Sequence, residues 1–424
     1  MSETIAVIGT GYVGLTTGAC FAALGHTVVC ADIDEDKIRR LNDGEIPIVE
    51  DGLERLVHEG VKAGRLSFVV GAATAAAECE FSYLCVPTPQ GLDGSADLSF
   101  IEAAADEIGQ VLAPESIVVN KSTVPVGSTR VVERALGRSD VFVVSNPEFL
   151  REGSAVNDFM KPDRVVIGSD HQAAAIRVAS LYMGIPAPIM VTDPASAETI
   201  KYAANAFLAT KLSFVNAVAA ICEAVGADVA DVMLGIGYDK RIGQDFLQPG
   251  PGWGGSCFPK DTRALAHIAD EAGYDFHLLK GVLAVNDEQF ERVVDKVEHL
   301  VGGTLDGARV AVWGLTFKAR TDDLRESPSL EIIRRLRERG ATVVAYDPAV
   351  SDQLDGITVV DDPYAACDDA DVLAVLTEWD EFRWLDFDKV ADLLSEPRVL
   401  DGRNLLDSAA LKRRGFAYDG IGRS

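Results

Sequence analysis

Thr4-Ile-Ala-Val-Ile-Gly9-Thr-Gly-Tyr-Val-Gly14 decides the fold. Residues 4–8 are a short β-rich run, glycines stand at 9, 11 and 14, and an apolar helical pattern covers 15–24 and stops at Gly25. A second β-rich run, residues 26–31, then delivers Asp32. Strand, glycine turn, helix, strand and acid follow one another in the order a dinucleotide-binding fold requires. Gly9 makes the turn, Gly11 lets a pyrophosphate approach the backbone, and Gly14 lets the helix close on the strand, with the helix N-terminus facing phosphate. Asp32 lies about 20 residues beyond the motif, where a carboxylate binds the ribose 2′-hydroxyl and repels a 2′-phosphate, so NAD is expected rather than NADP. Lys37, one turn into the next element, either reaches the same region or is a solvated surface lysine.

The same alternation continues. Phe81-Ser-Tyr-Leu-Cys-Val ends in Pro87-Thr88-Pro, Ile117-Val-Val-Asn ends in Lys121-Ser-Thr123-Val-Pro-Val-Gly127, and Val141-Phe-Val-Val ends in Ser145-Asn-Pro-Glu148-Phe-Leu-Arg-Glu152-Gly153. Polar residues thus follow each strand, at the sheet edge where open α/β folds bind ligands. Glu148 and Glu152 are spaced i, i+4, which puts them on one face of a helical turn beside that cleft; an exposed acidic face is the bland alternative.

From Pro194 the texture changes. Residues 197–222 contain neither Gly nor Pro and predict one helix of about seven turns, with Ile200, Phe207, Leu208, Leu212, Val215, Val218 and Ile221 placing apolar groups on nearly every face. Such a helix is expected to be buried on several sides, as a connector between domains and a subunit interface. Lys201 and Asn205 stand i, i+4 within it, and a lysine in so apolar a setting needs an anionic partner or a catalytic task unless it snorkels at the helix end.

A loop rich in Gly and Pro, 239–252, leads to Gly252-Trp-Gly-Gly-Ser-Cys-Phe-Pro-Lys-Asp261. Gly254 and Gly255 allow a tight turn that presents Cys257, and Pro259 suits the first turn of the helix that follows. A thiol just before a helix N-terminus, beside Lys260, sits where thiolate is favoured; the alternative is a small buried hydrophobe. Beyond Gly302 the opening pattern repeats: Val310-Ala-Val-Trp-Gly, a helix over 329–338 stopped by Gly340, and Ala341-Thr-Val-Val-Ala-Tyr-Asp347. Lacking GxGxxG, this second unit is expected to hold a different nucleotide-like ligand. The expected fold class is α/β, two Rossmann-like doubly wound domains joined by a long central helix: 1–195 for the dinucleotide, 196–300 helical and dimerising, carrying Lys201 and Cys257, and 301–424 for the second ligand.

A chain of 424 residues is long enough for two or three domains. The formal net charge of −27 argues against nucleic-acid or anionic-membrane partners, and an anionic substrate then needs local basic residues. Seven scattered cysteines form no CxxC or Cys/His cluster, so neither a disulfide framework nor a metal site is expected. The β-rich run near Met1 leaves no room for a signal peptide, and a cytoplasmic enzyme is expected.

Gly9-Thr-Gly-Tyr-Val-Gly14, Lys121-Ser-Thr-Val-Pro-Val-Gly127, Asn146-Pro-Glu-Phe-Leu-Arg-Glu-Gly153, Ile200-Lys-Tyr-Ala-Ala-Asn205, Gly254-Gly-Ser-Cys-Phe-Pro-Lys-Asp261 and Asp401-Gly-Arg403 together resemble the UDP-glucose/GDP-mannose dehydrogenase family. The resemblance implies oxidation of a nucleotide sugar's primary alcohol to a carboxylate by two hydride transfers to NAD. UDP-glucose is the expected substrate, GDP-mannose or UDP-N-acetylmannosamine the alternatives, and a non-catalytic nucleotide-binding protein a further reading. It gives Cys257 the nucleophile's role, Lys201 and Asn205 oxyanion stabilisation, Asp261 the orientation of water or proton uptake, Glu148 the base for thioester hydrolysis and Thr123 a positioned water. Gly9, Gly11, Tyr12, Val13, Gly14, Asp32, Lys37, Thr88, Thr123, Glu152, Lys260 and Arg325 are implied for NAD. Glu148, Phe149, Leu150, Arg151, Glu152, Lys201, Asn205, Arg241, Phe246, Leu247, Gln248, Pro249, Gly250, Gly254, Lys318 and Arg403 are implied for the UDP-sugar, and a homodimer for the assembly. Trp253 departs from the family's usual Tyr or Phe, and its larger ring is expected to reshape the sugar pocket.

Overall fold

Short β-branched strands separated by apolar helices build two units, residues 1–204 and 205–424. The computed structural model describes residues 2–89, 91 and 96–423. The first unit holds β1 (Thr4–Ile8), β2 (Thr27–Asp32), β3 (Leu66–Val70), β4 (Phe81–Leu84), β5 (Ile117–Asn120), β6 (Phe142–Ser145), β7 (Val165–Gly168) and β8 (Ile189–Thr192). They form one sheet in the order β3-β2-β1-β4-β5-β6-β7-β8. The first six are the doubly wound order, whose direction reverses between β1 and β4 and opens a crevice at their carboxyl ends. The sequence pattern did not foresee that β7 turns antiparallel to β6, through Ser145 and Gly168, and carries β8 parallel to itself.

Helices cover both faces, so the central strands read as unbroken apolar runs. Ile5, Val7, Phe21, Tyr83, Val119 and Ile167 share one buried cluster, and Ala6, Ile8, Leu84, Ile101 and Val118 belong to another. The helix Tyr12–Ala23 lies against its neighbours at glycine distance: a Cβ on Gly14 would stand 1.8 Å from the Gly9 carbonyl oxygen, and one on Gly18 2.4 Å from Cys30 Sγ.

The second unit repeats the plan with β9 (Arg309–Trp313), β10 (Thr342–Tyr346), β11 (Thr358–Val359), β12 (Val372–Val375), β13 (Arg398–Asp401) and β14 (Ala417–Gly420), all parallel, in the order β11-β10-β9-β12-β13-β14. This is the doubly wound order again. The expected fold class therefore holds.

The helix expected over 197–222 runs Pro194–Val225, opened by its proline and closed at Gly226. Its burial differs from expectation. Val215 is fully buried, but Phe207, Phe214, Ile221 and Val225 are 66%, 55%, 60% and 70% exposed, one stripe at spacings of seven, seven and four that the chain's own fold leaves uncovered.

Candidate active site

In the first unit the glycine turn and Asp32 are built as one piece. Gly9 has φ 99°, a conformation open to glycine, and brings Thr10 to the end of β2. There the Thr10 amide and hydroxyl donate to one Asp32 oxygen at 2.9 and 2.6 Å, and Lys37 Nζ reaches the same oxygen at 3.1 Å. Burial alone raises an acid's pKa, yet these donors and the Lys37 charge together hold Asp32 below the ordinary carboxylate range. Lys37 thus serves the acid. A Cβ on Gly11 meets nothing within 4 Å, and no side chain caps the helix N-terminus there. An open backbone at a helix start with a fixed carboxylate 21 residues on fits NAD.

At the neighbouring strand ends, the Thr88 hydroxyl donates 2.8 Å to the Thr123 carbonyl. The segment after β6 is a correction to the sequence reading. Residues 146–153 are not helical, so Glu148 and Glu152 do not share a helical face. Glu148 turns inward: one oxygen accepts from Lys201 Nζ at 2.8 Å, the other from the Leu150 amide at 2.6 Å. Both side chains of the ion pair are 5% exposed. Burial works against the charge on Glu148, but Lys201, the Leu150 amide and the more distant Lys121 outweigh it and hold the carboxyl below its usual range. Phe149 lies between two cations, with the Arg164 guanidinium 3.6 Å and Lys201 Nζ 5.5 Å from its ring centre. Arg151 turns away to Asp158.

Three acceptors or donors that the sequence reading gave no role anchor these loops. The buried Glu50 carboxylate accepts from the Gly153 and Ala155 amides at 2.7 and 2.8 Å, pinning the end of the Glu148 segment. The buried Glu198 accepts from Gly127 and Thr129 amides at 2.6 and 2.9 Å, fixing the far end of the Thr123 loop. The buried Lys121 bonds Asn146 and Tyr182. Glu198 lies one helical turn before Lys201, a spacing visible in sequence; Glu50, about a hundred residues from its partners, left no local signal.

In the second unit Cys257 is the N-cap of the helix Phe258–Glu271, with Pro259 in its first turn. Two glycines are required here. A Cβ on Gly254 would stand 1.9 Å from the Glu326 carbonyl oxygen, and Gly255, at φ 83°, has the Phe317 ring 2.7 Å from where its Cβ would be. The turn therefore seats on the 317–326 segment and points its cysteine at a helix start, the dipole end that favours thiolate. Asp261, wholly buried one turn on, accepts from Asn205 Nδ2 and from Lys260 Nζ, each at 2.6 Å. Cys257 is the one partly exposed cysteine of the seven. Burial pushes the Cys79 thiol to about 11 and those of Cys20, Cys85 and Cys367 to about 12.

Beside this turn opens a cleft lined by Gln248, Gly250, Gly254 and Arg403 from the expected set, and also by Asn216, Trp253 and Phe317. Trp253 is 5% exposed and locked, its indole N–H donating 2.9 Å to Ser213 and its amide 2.8 Å to Asn286. Arg403 is held by the Leu376 and Phe317 carbonyls and by Glu378. Arg241 is not gathered here: it is exposed and paired with Asp239 on its own loop. Arg325 is clamped to Asp323, and Lys318 Nζ lies 5.5 Å from the Phe317 ring.

A dinucleotide cradle in one unit, and a helix-capping cysteine beside an open cleft in the other, are features of a nicotinamide-dependent dehydrogenase. Comparison with known proteins narrows this class. The NAD-binding domain of the UDP-glucose/GDP-mannose dehydrogenase family matches residues 3–185, its central domain 195–288 and its UDP-binding domain 311–408, and the chain belongs to that family. It is 48% identical over 432 aligned residues to UDP-glucose 6-dehydrogenase TuaD of Bacillus subtilis, covering 99% of this chain and 93% of that one. Among solved structures, a UDP-glucose dehydrogenase from Pyrobaculum islandicum is 39% identical with TM-score 0.93, covering 100% of this chain and 98% of that one. A UDP-D-ManNAc dehydrogenase from Pyrococcus horikoshii is 27% identical with TM-score 0.89 and 99% coverage of both.

Proposed function

We propose that this chain oxidises the C6 primary alcohol of UDP-glucose to the carboxylate of UDP-glucuronate, consuming two NAD and one water. NAD, when bound, accepts the hydride released in each oxidation. Asp32 and the glycine turn hold its adenosine and pyrophosphate ends. The first oxidation removes a hydride and the hydroxyl proton, leaving an aldehyde. The Cys257 thiol adds to the aldehyde carbon, forming a C–S bond and an oxyanion, and protonation gives the thiohemiacetal. Loss of a second hydride and proton gives the thioester; water breaks its C–S bond, returning the thiol and releasing the acid. Lys201 and Asn205 carry the oxyanion stabilisation, Glu148 is the base for hydrolysis, Asp261 orients Asn205 and takes up protons, and Thr123 positions the water.

The observation that carries this reading is the Cys257 turn, with the buried Asp261 bonded to Asn205 and to the half-buried Lys260 a helical turn behind the nucleophile. The full-length similarity to TuaD supports UDP-glucose as the sugar. The likeness to the Pyrococcus enzyme supports UDP-N-acetylmannosamine as the second reading. We assign the enzyme to the cytoplasm as a homodimer through the exposed Phe207, Phe214, Ile221 and Val225 stripe, with the tripartite division 1–195, 196–300 and 301–424. Counting NADH per sugar consumed with UDP-glucose, GDP-mannose and UDP-N-acetylmannosamine tests the assignment. Two NADH per UDP-glucose is the expected result; two with another sugar alone changes the substrate, and none with any sugar leaves a binding protein.

A further inference from the structure

Lys121 is 5% exposed, yet among the described residues no carboxylate lies within ion-pair distance of it. Its ammonium donates to Asn146 Oδ1 at 3.2 Å and to the Tyr182 hydroxyl at 3.3 Å, and sits 6.0 and 5.7 Å from the ring centres of Phe159 and Tyr182. Two long hydrogen bonds to neutral acceptors and two aromatic faces are weak recompense for a cation taken out of water. An anion further off has to supply the rest.

That anion is Glu148. Lys121 directly follows β5, and its amide is tied to the Leu84 carbonyl at 3.0 Å. Asn146 directly follows β6, two residues before Glu148; its amide bonds the Asn120 carbonyl at 2.9 Å and its Nδ2 the Val166 carbonyl at 2.7 Å. The ammonium is thereby fixed to the root of the segment that ends in the Glu148 carboxylate, and its charge favours the ionised carboxylate. We propose that Lys121 is a positioning residue: it anchors the Asn146–Glu148 turn and keeps the carboxylate charged from behind, so that Lys201 can turn to a substrate oxyanion without Glu148 taking up a proton. The proposal rests on Glu148 acting as the hydrolytic base.

The groups that act on Glu148 are Lys201 from the long helix, Lys121 from the end of β5 and Cys85 just after β4; behind them Tyr182, ahead of β8, bonds Lys121, Tyr83 of β4 neighbours Tyr182 and Cys85, and Arg164, ahead of β7, stacks on the adjacent Phe149. Burial keeps the Cys85 thiol, at about 12, and the Tyr83 hydroxyl neutral through the assay range. Arginine stays charged throughout. The acid limb of the rate then follows Glu148.

The test is the pH profile of kcat for UDP-glucose oxidation by full-length K121M and K121R, together with mass spectrometry of acid-quenched protein for acylated Cys257. Removing the charge raises the Glu148 pKa, so the K121M acid limb should move up by about one pH unit. Below the wild-type midpoint the rate falls about tenfold, acylated Cys257 accumulates, and KM for UDP-glucose moves less than about twofold. K121R keeps the limb in place. Should K121M be recovered unfolded, K121Q carries the same test, since its amide can still bond Asn146 without the charge. An active neutral variant with an unmoved limb and a uniformly lowered kcat overturns the proposal and leaves Lys121 structural. Wild-type protein that never acylates Cys257 with any nucleotide sugar overturns the functional reading itself, and the proposal with it.

Discussion

Asp32 and Asp347 occupy equivalent places in the two sheets, each just at or beyond the end of the second strand, but only Asp32 remains partly exposed. Asp347 is 3% exposed, and one of its oxygens accepts from the Leu315 and Thr316 amides, the Thr316 hydroxyl and the Trp379 indole. Both acids tie their own turn, but Asp32 keeps a partly exposed edge while Asp347 is sealed. Asp32→Asn should weaken NAD binding about tenfold and narrow the preference over NADP, with a modest loss of thermal stability as the Thr10 and Lys37 bonds to its charge weaken. Asp347→Asn should leave the cofactor preference alone and destabilise the fold by about 1–3 kcal/mol. Kinetics with both cofactors and thermal unfolding of both variants separate the two roles.

Gly11 and Gly14 differ in the same spirit. Gly14→Ala forces a Cβ to 1.8 Å from the Gly9 carbonyl, whereas Gly11→Ala meets open space. Gly14→Ala should be poorly folded, losing several degrees of Tm. Gly11→Ala should fold normally and lose NAD binding, because the new methyl stands in the open space at the helix start. Calorimetric titration with NAD checks both; equal affinity in Gly11→Ala and wild type removes Gly11 from the cradle.

The Glu148–Lys201 pair makes a prediction about acid. The folded-state pKa of Glu148 is depressed, so its contribution to stability is present above the unfolded value of about 4.3 and is lost as pH falls through the lower folded value. Lys201→Met leaves a buried carboxylate without its nearest cation and should cost about 3 kcal/mol at pH 7. The gap should shrink near pH 4, where protonation relieves the buried charge. Urea unfolding at the two pH values measures it, and a gap that stays constant would mean that packing, not charge, was lost.

Removing the nucleophile separates chemistry from stability. Cys257→Ala should lower acid formation by about a thousandfold or more while moving Tm little, since the side chain is only partly buried. Full-rate formation of the acid by this variant contradicts the covalent route.

The uncovered stripe on the long helix predicts an assembly. Phe214→Glu places a charge in the centre of that stripe and should halve the mass seen by light scattering. A wild-type protein that is already monomeric at micromolar concentration ends the idea.

Much of this was legible in the sequence because the informative signals are local. A β-rich run, three glycines and an acid 21 residues on specify a strand, a turn and a carboxylate fixed beside it without distant help. The cysteine turn was legible for the same reason. What failed was long-range. Glu148 and Glu152 have helical spacing, but the Leu150 amide and Lys201 draw Glu148 inward and the segment stays extended or turned. The reversal at β7 depends on pairing across the sheet edge, and the exposed faces of Phe207 and Phe214 on what lies outside one chain. Glu50 could not be read at all, because its partners at Gly153 and Ala155 are 103 and 105 residues away.

Six thiols sealed inside the fold and one at its surface make the protein chemically addressable. A mild electrophile such as iodoacetamide should consume one equivalent per chain, at Cys257, before unfolding releases the others. Alkylation can thus count folded chains in a preparation, and an oxidant should reach Cys257 before the six thiols held inside the fold.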